Sequence, residues 1–455
     1  YAYKSADERF NLSKELLLDS CMAYCQTTAA GLDKKIGIRK LGEEHTHPLP
    51  LGDYEPSLGV LLRDRASRFG DKIYLRYRQG GQDQALSWRE FSRRTFQIAR
   101  HLLEQGIRRG DRVGMISENR AEMFLFELAV MSIGAVTVPV FAGYLSSQIA
   151  YVLSRARPRY VVVSGQHQLE KIERARHPGI EKYYCFDADA ASRRWGALDF
   201  ATLTAEGGVS EQRLQEQLNA VQPDDRCVIM YTSGTTGAPK GVCLGHHHLI
   251  SQQKAMSLMW DVGENDIFMN YLPWHHSFGG LFERFMTLYN GCELCLDDSR
   301  GKDIDRLIEN WKMFKPTIFF SVPRVHDLLV TRCRDQREVA ETVFGGRLRL
   351  VFTAGAALPA SVEAAYRARQ VPVLEGWGLT ETSPCCTLTN PAEPRSIPGM
   401  VGYPIPGVRI RLAPDGEILV QGPNVMRGYY RDPEATARAL PGDGWFHTGD
   451  LGEFV

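Results

Sequence analysis

The ten residues from Thr232 to Gly241 read Thr-Ser-Gly-Thr-Thr-Gly-Ala-Pro-Lys-Gly, an unusual concentration of anion-binding chemistry. Four hydroxyls, three glycines and one lysine share that span. Glycines let backbone amides turn inward around an anion, hydroxyls add donors, and Lys240 adds positive charge. The combination suits a polyphosphate. It is not a Walker A loop, because Gly241 rather than Ser or Thr follows Lys240, and no helix needs to start there. The bland alternative is a Ser/Gly-rich surface turn.

Histidines and cysteines offer further chemistry, mostly of a negative kind. The pair His275-His276 lacks the Asp-Gly that an H-H-x-x-x-D-G acyltransferase pattern requires, and no G-x-S-x-G supports a hydrolase. The run His246-His247-His248 invites a metal reading, yet a surface or packing role is favoured. Cys292 and Cys295 form a C-x-x-C pair with no second pair at zinc spacing. Ten cysteines in 455 residues make no disulfide framework and read as reduced thiols of a cytoplasmic protein.

These residues need a scaffold, and the hydrophobic pattern supplies one. A buried strand over 227–231 leads directly into the phosphate loop. Helices are expected over 89–105, 120–133 and 304–314, with strands over 112–117, 136–141, 160–164 and 317–322. The apolar stretch 123–142 carries Glu127 and Pro139, so it reads as a core helix followed by a strand rather than a membrane span. Such alternation implies helices on both faces of mostly parallel sheets. After residue 400 the texture changes: Val408, Ile410 and Leu412 alternate with Arg409 and Arg411, and Pro414-Asp415-Gly416 turns the chain into 418–420. That is an antiparallel hairpin.

Composition excludes several classes of partner. Apolar residues are 44% and charged residues 24%, and 54 basic residues balance 54 acidic ones. No nucleic-acid groove, polybasic anchor or membrane anchor follows from that balance; peripheral membrane contact and oligomeric state stay open.

Residues 231–241 resemble the phosphate loop of the acyl-adenylate-forming superfamily, which includes acyl-CoA synthetases, luciferases and adenylation domains of peptide synthetases. Five further stretches follow in the family's order: 272–279 (Leu-Pro-Trp-His-His-Ser-Phe-Gly), 353–358 (Thr-Ala-Gly-Ala-Ala-Leu), 376–382 (Gly-Trp-Gly-Leu-Thr-Glu-Thr), 416–430 and 445–451. Six collinear matches leave little room for chance. The fold implied is α/β: two α/β subdomains with mostly parallel sheets plus a small distorted β-barrel, as in the acyl-CoA synthetase/luciferase-like large domain. Residues 1–50 would be an N-terminal extension without assigned function, 51–400 the two subdomains, and 401–455 the barrel-like unit.

The resemblance also implies roles. Thr232, Ser233, Gly234, Thr235, Thr236, Gly237 and Lys240 would grip the phosphates of ATP. Glu381, with Thr232, would hold Mg²⁺, and Thr380 would bond the α-phosphate. Trp377, between Gly376 and Gly378, would stack on adenine, with Gly355 and Ala356 on the ring's other face. Asp450 would accept from both ribose hydroxyls. His276, Ser277 and Phe278 would line the acyl site, with His276 at the gate toward the thiol. Lys240, Thr380, Glu381 and His276 are the expected catalytic residues.

The reaction implied is ATP-dependent activation of a carboxylic acid to acyl-AMP with release of pyrophosphate, then transfer to CoA. Residues 279–284, 321–325 and 422–429 resemble fatty acid–CoA ligases of the long-chain type. The alternatives are an aryl acid–CoA ligase, a ligase loading acyl or aminoacyl groups onto a carrier protein, and a non-catalytic binding protein. Family members continue past the position of Asp450 into a C-terminal lid domain. That domain is absent from these 455 residues, so impaired adenylation is expected of them alone.

Overall fold

The computed structural model describes residues 43–173, 177–232, 238–389 and 400–454. Most of the expected extension, with Cys21 and Cys25, lies outside the described residues, as do Ser233, Gly234, Thr235, Thr236 and Gly237.

Local sequence explains the elements that carry the site. The helix Trp88–Glu104 starts where Ser87 Oγ accepts from the Glu90 amide at 3.2 Å. It buries Phe91, Ile98 and Leu102, and the chain leaves through Gly106 at φ 93°, a left-handed conformation that costs glycine little. The helix Ala121–Ser132 is buried on nearly every side. At ~1.5 Å per residue it falls well short of a ~30 Å hydrocarbon layer, as a core helix should. Each large side chain it buries, Phe124 and Phe126 among them, contributes roughly 1.5–3 kcal/mol. Among the described residues no helix is long and apolar enough to cross a membrane.

Three sheets organise the chain. The first has seven strands in the spatial order Lys240–Gly245, Arg226–Thr232, Val136–Val140, Arg112–Ile116, Tyr160–Val163, Lys182–Cys185, Leu198–Asp199. All neighbours are parallel except the first pair. Near-continuous Val and Ile runs such as Tyr160–Val163 suit strands covered on both faces. The second has nine strands, ordered Tyr403–Pro404, Thr387–Leu388, Val373–Trp377, Leu350–Thr353, Ile318–Ser321, Ile267–Asn270, Glu293–Leu296, Ile73–Gln79, Gln82–Ser87. Its central pairings, from Val373–Trp377 to Ile73–Gln79, are parallel. The third is a four-stranded antiparallel sheet of His45–Thr46, Arg409–Leu412, Glu417–Gln421 and Phe446–Leu451. The hairpin expected after residue 400 is its centre, with Leu412 opposite Ile418.

The described cysteines are all free and buried, and no group of three or more His, Cys, Asp or Glu among the described residues is arranged to hold a metal. Burial of His246 and His248 explains the chemistry of the triple-histidine run. His246 Nδ1 accepts from the Leu58 amide at 3.2 Å and His248 Nδ1 from the Gly245 amide at 2.9 Å. Burial holds these two imidazoles neutral, with pKa values lowered to about 4 and about 3. The packing role is the one the structure shows.

Candidate active site

Four adjacent parallel strands of the nine-stranded sheet end at the same rim. Beyond Ile267–Asn270 comes the loop carrying His276; beyond Leu350–Thr353 come Ala354, Gly355 and Ala356; beyond Val373–Trp377 come Gly378, Thr380 and Glu381. Ile318–Ser321 lies between the first two. Carboxyl ends of strands in open α/β sheets are where ligands bind.

The phosphate-loop segment arrives from the seven-stranded sheet. Thr232 and Lys240 are directly paired across the antiparallel ladder, so their side chains share a face at the base of the loop. Gly241 packs where a Cβ would lie 2.9 Å from Ile229 Cγ2, which keeps the two strands close.

Lys240, Glu381, Trp377 and Asp450 come together, with Tyr429 as the link between the first two. Tyr429 Oη donates to Glu381 Oε1 at 2.8 Å, and the Lys240 ammonium sits 5.1 Å from the centroid of the same phenol ring. Trp377 Nε1 donates to Asp450 Oδ2 at 3.0 Å, joining the second and third sheets. Burial pushes the Glu381 carboxyl above its usual range, as does the charge of Asp450, while the Tyr429 hydroxyl and Lys240 pull it down. Burial likewise raises Asp450, against the indole hydrogen bond.

The Thr380–Glu381 turn is rigid for identifiable reasons. Gly378 lets the chain pass where a Cβ would fall 1.9 Å from the Pro384 carbonyl oxygen. Asn424 Nδ2 donates to the carbonyls of Thr382 and Cys385 at 3.0 and 2.7 Å, and Ser383 Oγ donates to the Asn424 carbonyl at 2.8 Å. The Met426 amide donates to the Glu381 carbonyl at 2.7 Å.

The hydroxyls of Thr380 and Ser277 lie 3.0 Å apart, which ties this turn to the histidine loop. Asn119 and Asn270 hold that loop from below. Asn119 donates to the Leu272 carbonyl at 2.8 Å and accepts from the Trp274 amide at 3.0 Å, while Trp274 Nε1 donates to Asn270 Oδ1 at 2.9 Å. His276 keeps an exposed surface, and desolvation by the protein around it lowers its pKa below the usual 6.5, so the ring is neutral near pH 7. Its Nδ1 accepts from the Phe278 amide at 3.3 Å. Behind it the π-helix Phe278–Glu283 presents Phe278 and Phe282 to Phe320 and Phe352 at centroid distances of 5.3–6.0 Å.

Gly355, at φ 87° with open space beside its Cα, and Ala356 stand on the neighbouring strand end, since Thr353 is in register with Glu375. Sequence reasoning missed Tyr429, Ser277's bond to Thr380, and the Asn119–Asn270 support. Tyr429 stood within the quoted stretch 416–430, beside Gly428, but nothing local announces a phenol aimed at a residue 48 positions away.

Comparison with known proteins identifies the family. The profile of the family described as AMP-binding enzyme matches residues 62–430. A long-chain-fatty-acid–CoA ligase 6 of Rattus norvegicus is 29% identical over 436 residues, covering 82% of this chain and 61% of the relative. The malonate–CoA ligase ACSF3, mitochondrial, of Mus musculus is 28% identical over 434 residues, covering 86% and 70%. The inhibitor-bound N-terminal domain of FACL13 from Mycobacterium tuberculosis superposes with a TM-score of 0.75 at 24% identity, covering 88% of this chain and 97% of that one. The chain thus spans about three fifths of the rat ligase's length. It belongs to the family of AMP-binding enzymes.

Proposed function

We propose that the protein containing this chain activates a carboxylic acid as acyl-AMP and passes the acyl group to CoA. The observation that carries the reading is the meeting of Lys240, Glu381 and Asp450, which belong to three different sheets or their loops, beside the indole of Trp377.

In this reading a carboxylate oxygen of the acid attacks the α-phosphorus of ATP, the bond to the β-phosphate bridging oxygen breaks, and pyrophosphate leaves. Charge grows on phosphate oxygens, so positioning and electrostatics supply most of the acceleration. Lys240 and the loop from Thr232 to Gly237 hold the phosphates, Thr380 bonds the α-phosphate, Trp377 stacks on adenine opposite Gly355 and Ala356, and Asp450 takes the ribose hydroxyls. Gly376 and Gly378 keep the backbone on either side of Trp377 close-packed, where a Cβ would fall 2.7 Å from Leu388 Cδ2 and 1.9 Å from the Pro384 oxygen.

Mg²⁺ fits the donor set. Glu381 feels the Asp450 carboxylate as well as the Lys240 ammonium, and burial raises the pKa of both acids, so a further positive charge beside them would be favourable. Glu381 and the Thr232 hydroxyl are hard oxygen donors, and Mg²⁺ typically takes one or two protein oxygens plus phosphate oxygens. Bound there, it would neutralise charge on the phosphates.

An apolar acid is supported over a charged one. The chain that follows His276 buries Phe278 and Phe282 against Phe320 and Phe352, and the buried cation of that segment, Arg284, is already paired with Glu127. Ser277 and Phe278 would contact the acyl chain and neutral His276 would stand at its mouth.

Pyrophosphate exchange, and AMP release with CoA, measured on the full-length protein with acetate, octanoate, palmitate, malonate and aryl acids, tests the proposal. Lys240→Ala and Glu381→Gln should each lower exchange by at least ~100-fold. Absence of acid-dependent exchange with every acid would sink the reading. Turnover with a carrier-protein phosphopantetheine and none with CoA would replace the acceptor.

A further inference from the structure

We propose that Tyr429 is a positioning residue of the nucleotide site, its hydroxyl fixing the Glu381 carboxylate and its ring seating the Lys240 ammonium. The inference rests on the adenylation reading and deepens it.

Three observations support it. The phenol donates to one carboxylate oxygen, Oε1, at 2.8 Å. A carboxylate held by one oxygen presents the other in a fixed direction. The ammonium of Lys240 lies 5.1 Å from the ring centroid, on the attractive face of the quadrupole. A lysine stem has four rotatable bonds, so a seat of this kind narrows where its charge can be.

The backbone of Tyr429 is itself clamped to the strand that bears Lys240. It forms a bridge with Val242, the Tyr430 amide donates to the Gly241 carbonyl at 2.7 Å, and the Cys243 amide donates to the Gly428 carbonyl at 3.1 Å. The Tyr429 amide donates to Thr436 Oγ1 at 2.9 Å. Gly428, at φ 135°, leaves no room for a Cβ, which would fall 2.6 Å from Thr436 Cγ2. One side chain on one clamped segment therefore sets the separation between the cation-holding and phosphate-holding halves of the site. A tyrosine that merely filled space would need neither the hydroxyl contact nor the cation above its face.

The test is calorimetric titration of the full-length protein with MgATP and with metal-free AMP. Tyr429→Phe keeps the ring and removes the donor. It should weaken MgATP binding about tenfold, as loss of one hydrogen bond to a charged group implies, and leave AMP binding unchanged. Tyr429→Leu should weaken MgATP further. In a Glu381→Gln background Tyr429→Phe should add nothing, because the two act through one contact. Equal losses for AMP and MgATP, no loss for MgATP, or additive effects with Glu381→Gln would each overturn the proposal. If the unsubstituted full-length protein binds neither nucleotide, the adenylation reading itself falls first, a result distinct from any of these.

Discussion

Replacing Glu127 by Gln removes one charge from a pair sealed inside the molecule, and the cost can be worked from its surroundings. Glu127 Oε2 lies 2.5 Å from Arg284 Nη1, with the two side chains 1% and 0% exposed. The guanidinium also donates from Nε and Nη2 to the Gly280 carbonyl at 3.2 and 3.0 Å, and lies 4.6, 4.7 and 5.1 Å from the ring centroids of Phe124, Trp274 and Phe285. Charge centres about 4 Å apart attract by roughly 4 kcal/mol at an effective dielectric near 20. Arginine cannot shed its proton to escape, so breaking such a pair from one side costs about 3–5 kcal/mol. The rings and the Gly280 carbonyl still compensate part of the charge, which puts the expected loss near the lower end, about 3 kcal/mol. The double replacement Glu127→Met with Arg284→Met should recover most of that loss, since buried ion pairs are often replaceable by apolar side chains. Urea unfolding followed by far-ultraviolet circular dichroism measures both. A loss below about 1 kcal/mol for Glu127→Gln, or a double variant less stable than either single one, would refute the reasoning. Because Arg284 grips the carbonyl of Gly280 inside the π-helix Phe278–Glu283, the acid's KM should rise in Glu127→Gln while AMP affinity holds.

Gly378→Ala should abolish measurable MgATP binding by calorimetry, because a Cβ placed 1.9 Å from the Pro384 oxygen must displace the turn bearing Thr380 and Glu381. Trp377→Phe should weaken AMP binding several-fold, about 1 kcal/mol, by freeing the Asp450 carboxylate and shrinking the stacking surface, with fluorescence-detected titration as the measurement. The third sheet should lose stability as pH rises. His447 pays a burial cost, but hydrogen bonds to Asp443 and Glu417 raise its pKa above 6.5. A raised folded-state value means the contribution is fully present below 6.5 and disappears as pH climbs through the folded pKa. Hydrogen exchange of residues 446–451 against pH should show that decline, and His447→Gln should remove it.

Much of the scaffold was legible because its elements follow local rules. The helix expected over 89–105 is Trp88–Glu104, and the strand expected over 160–164 is Tyr160–Val163; period and caps suffice for both. The strand 227–231 and the absence of a helix at Lys240 were equally local, since a hairpin returns as Lys240–Gly245. What stayed hidden depends on pairing across distance. Nothing in Ile73–Gln79 announces that it docks beside Glu293–Leu296, nor in His45–Thr46 that it joins Arg409–Ile410. The π-helix at Phe278–Glu283 arises from packing: a Cβ on Gly280 would fall 2.1 Å from the Trp274 carbonyl oxygen, a fit invisible to periodicity. The same holds for Tyr429, whose partner is chosen by how two sheets meet.

The interleaving of early and late segments has a consequence for how the chain acquires its form. Arg76 binds Glu293 across 217 residues of sequence, and Glu44 binds Arg409 across 365. Non-local pairings of this kind slow folding, because the chain must surrender the entropy of large loops before contact rewards it. During synthesis the seven-stranded sheet can assemble once residue 245 has emerged, whereas Asp450 can join Trp377 only after residues 246–450 have followed. Nucleotide competence should therefore lag behind that first sheet, leaving an interval in which the half-built edges of the other two are open to mispairing.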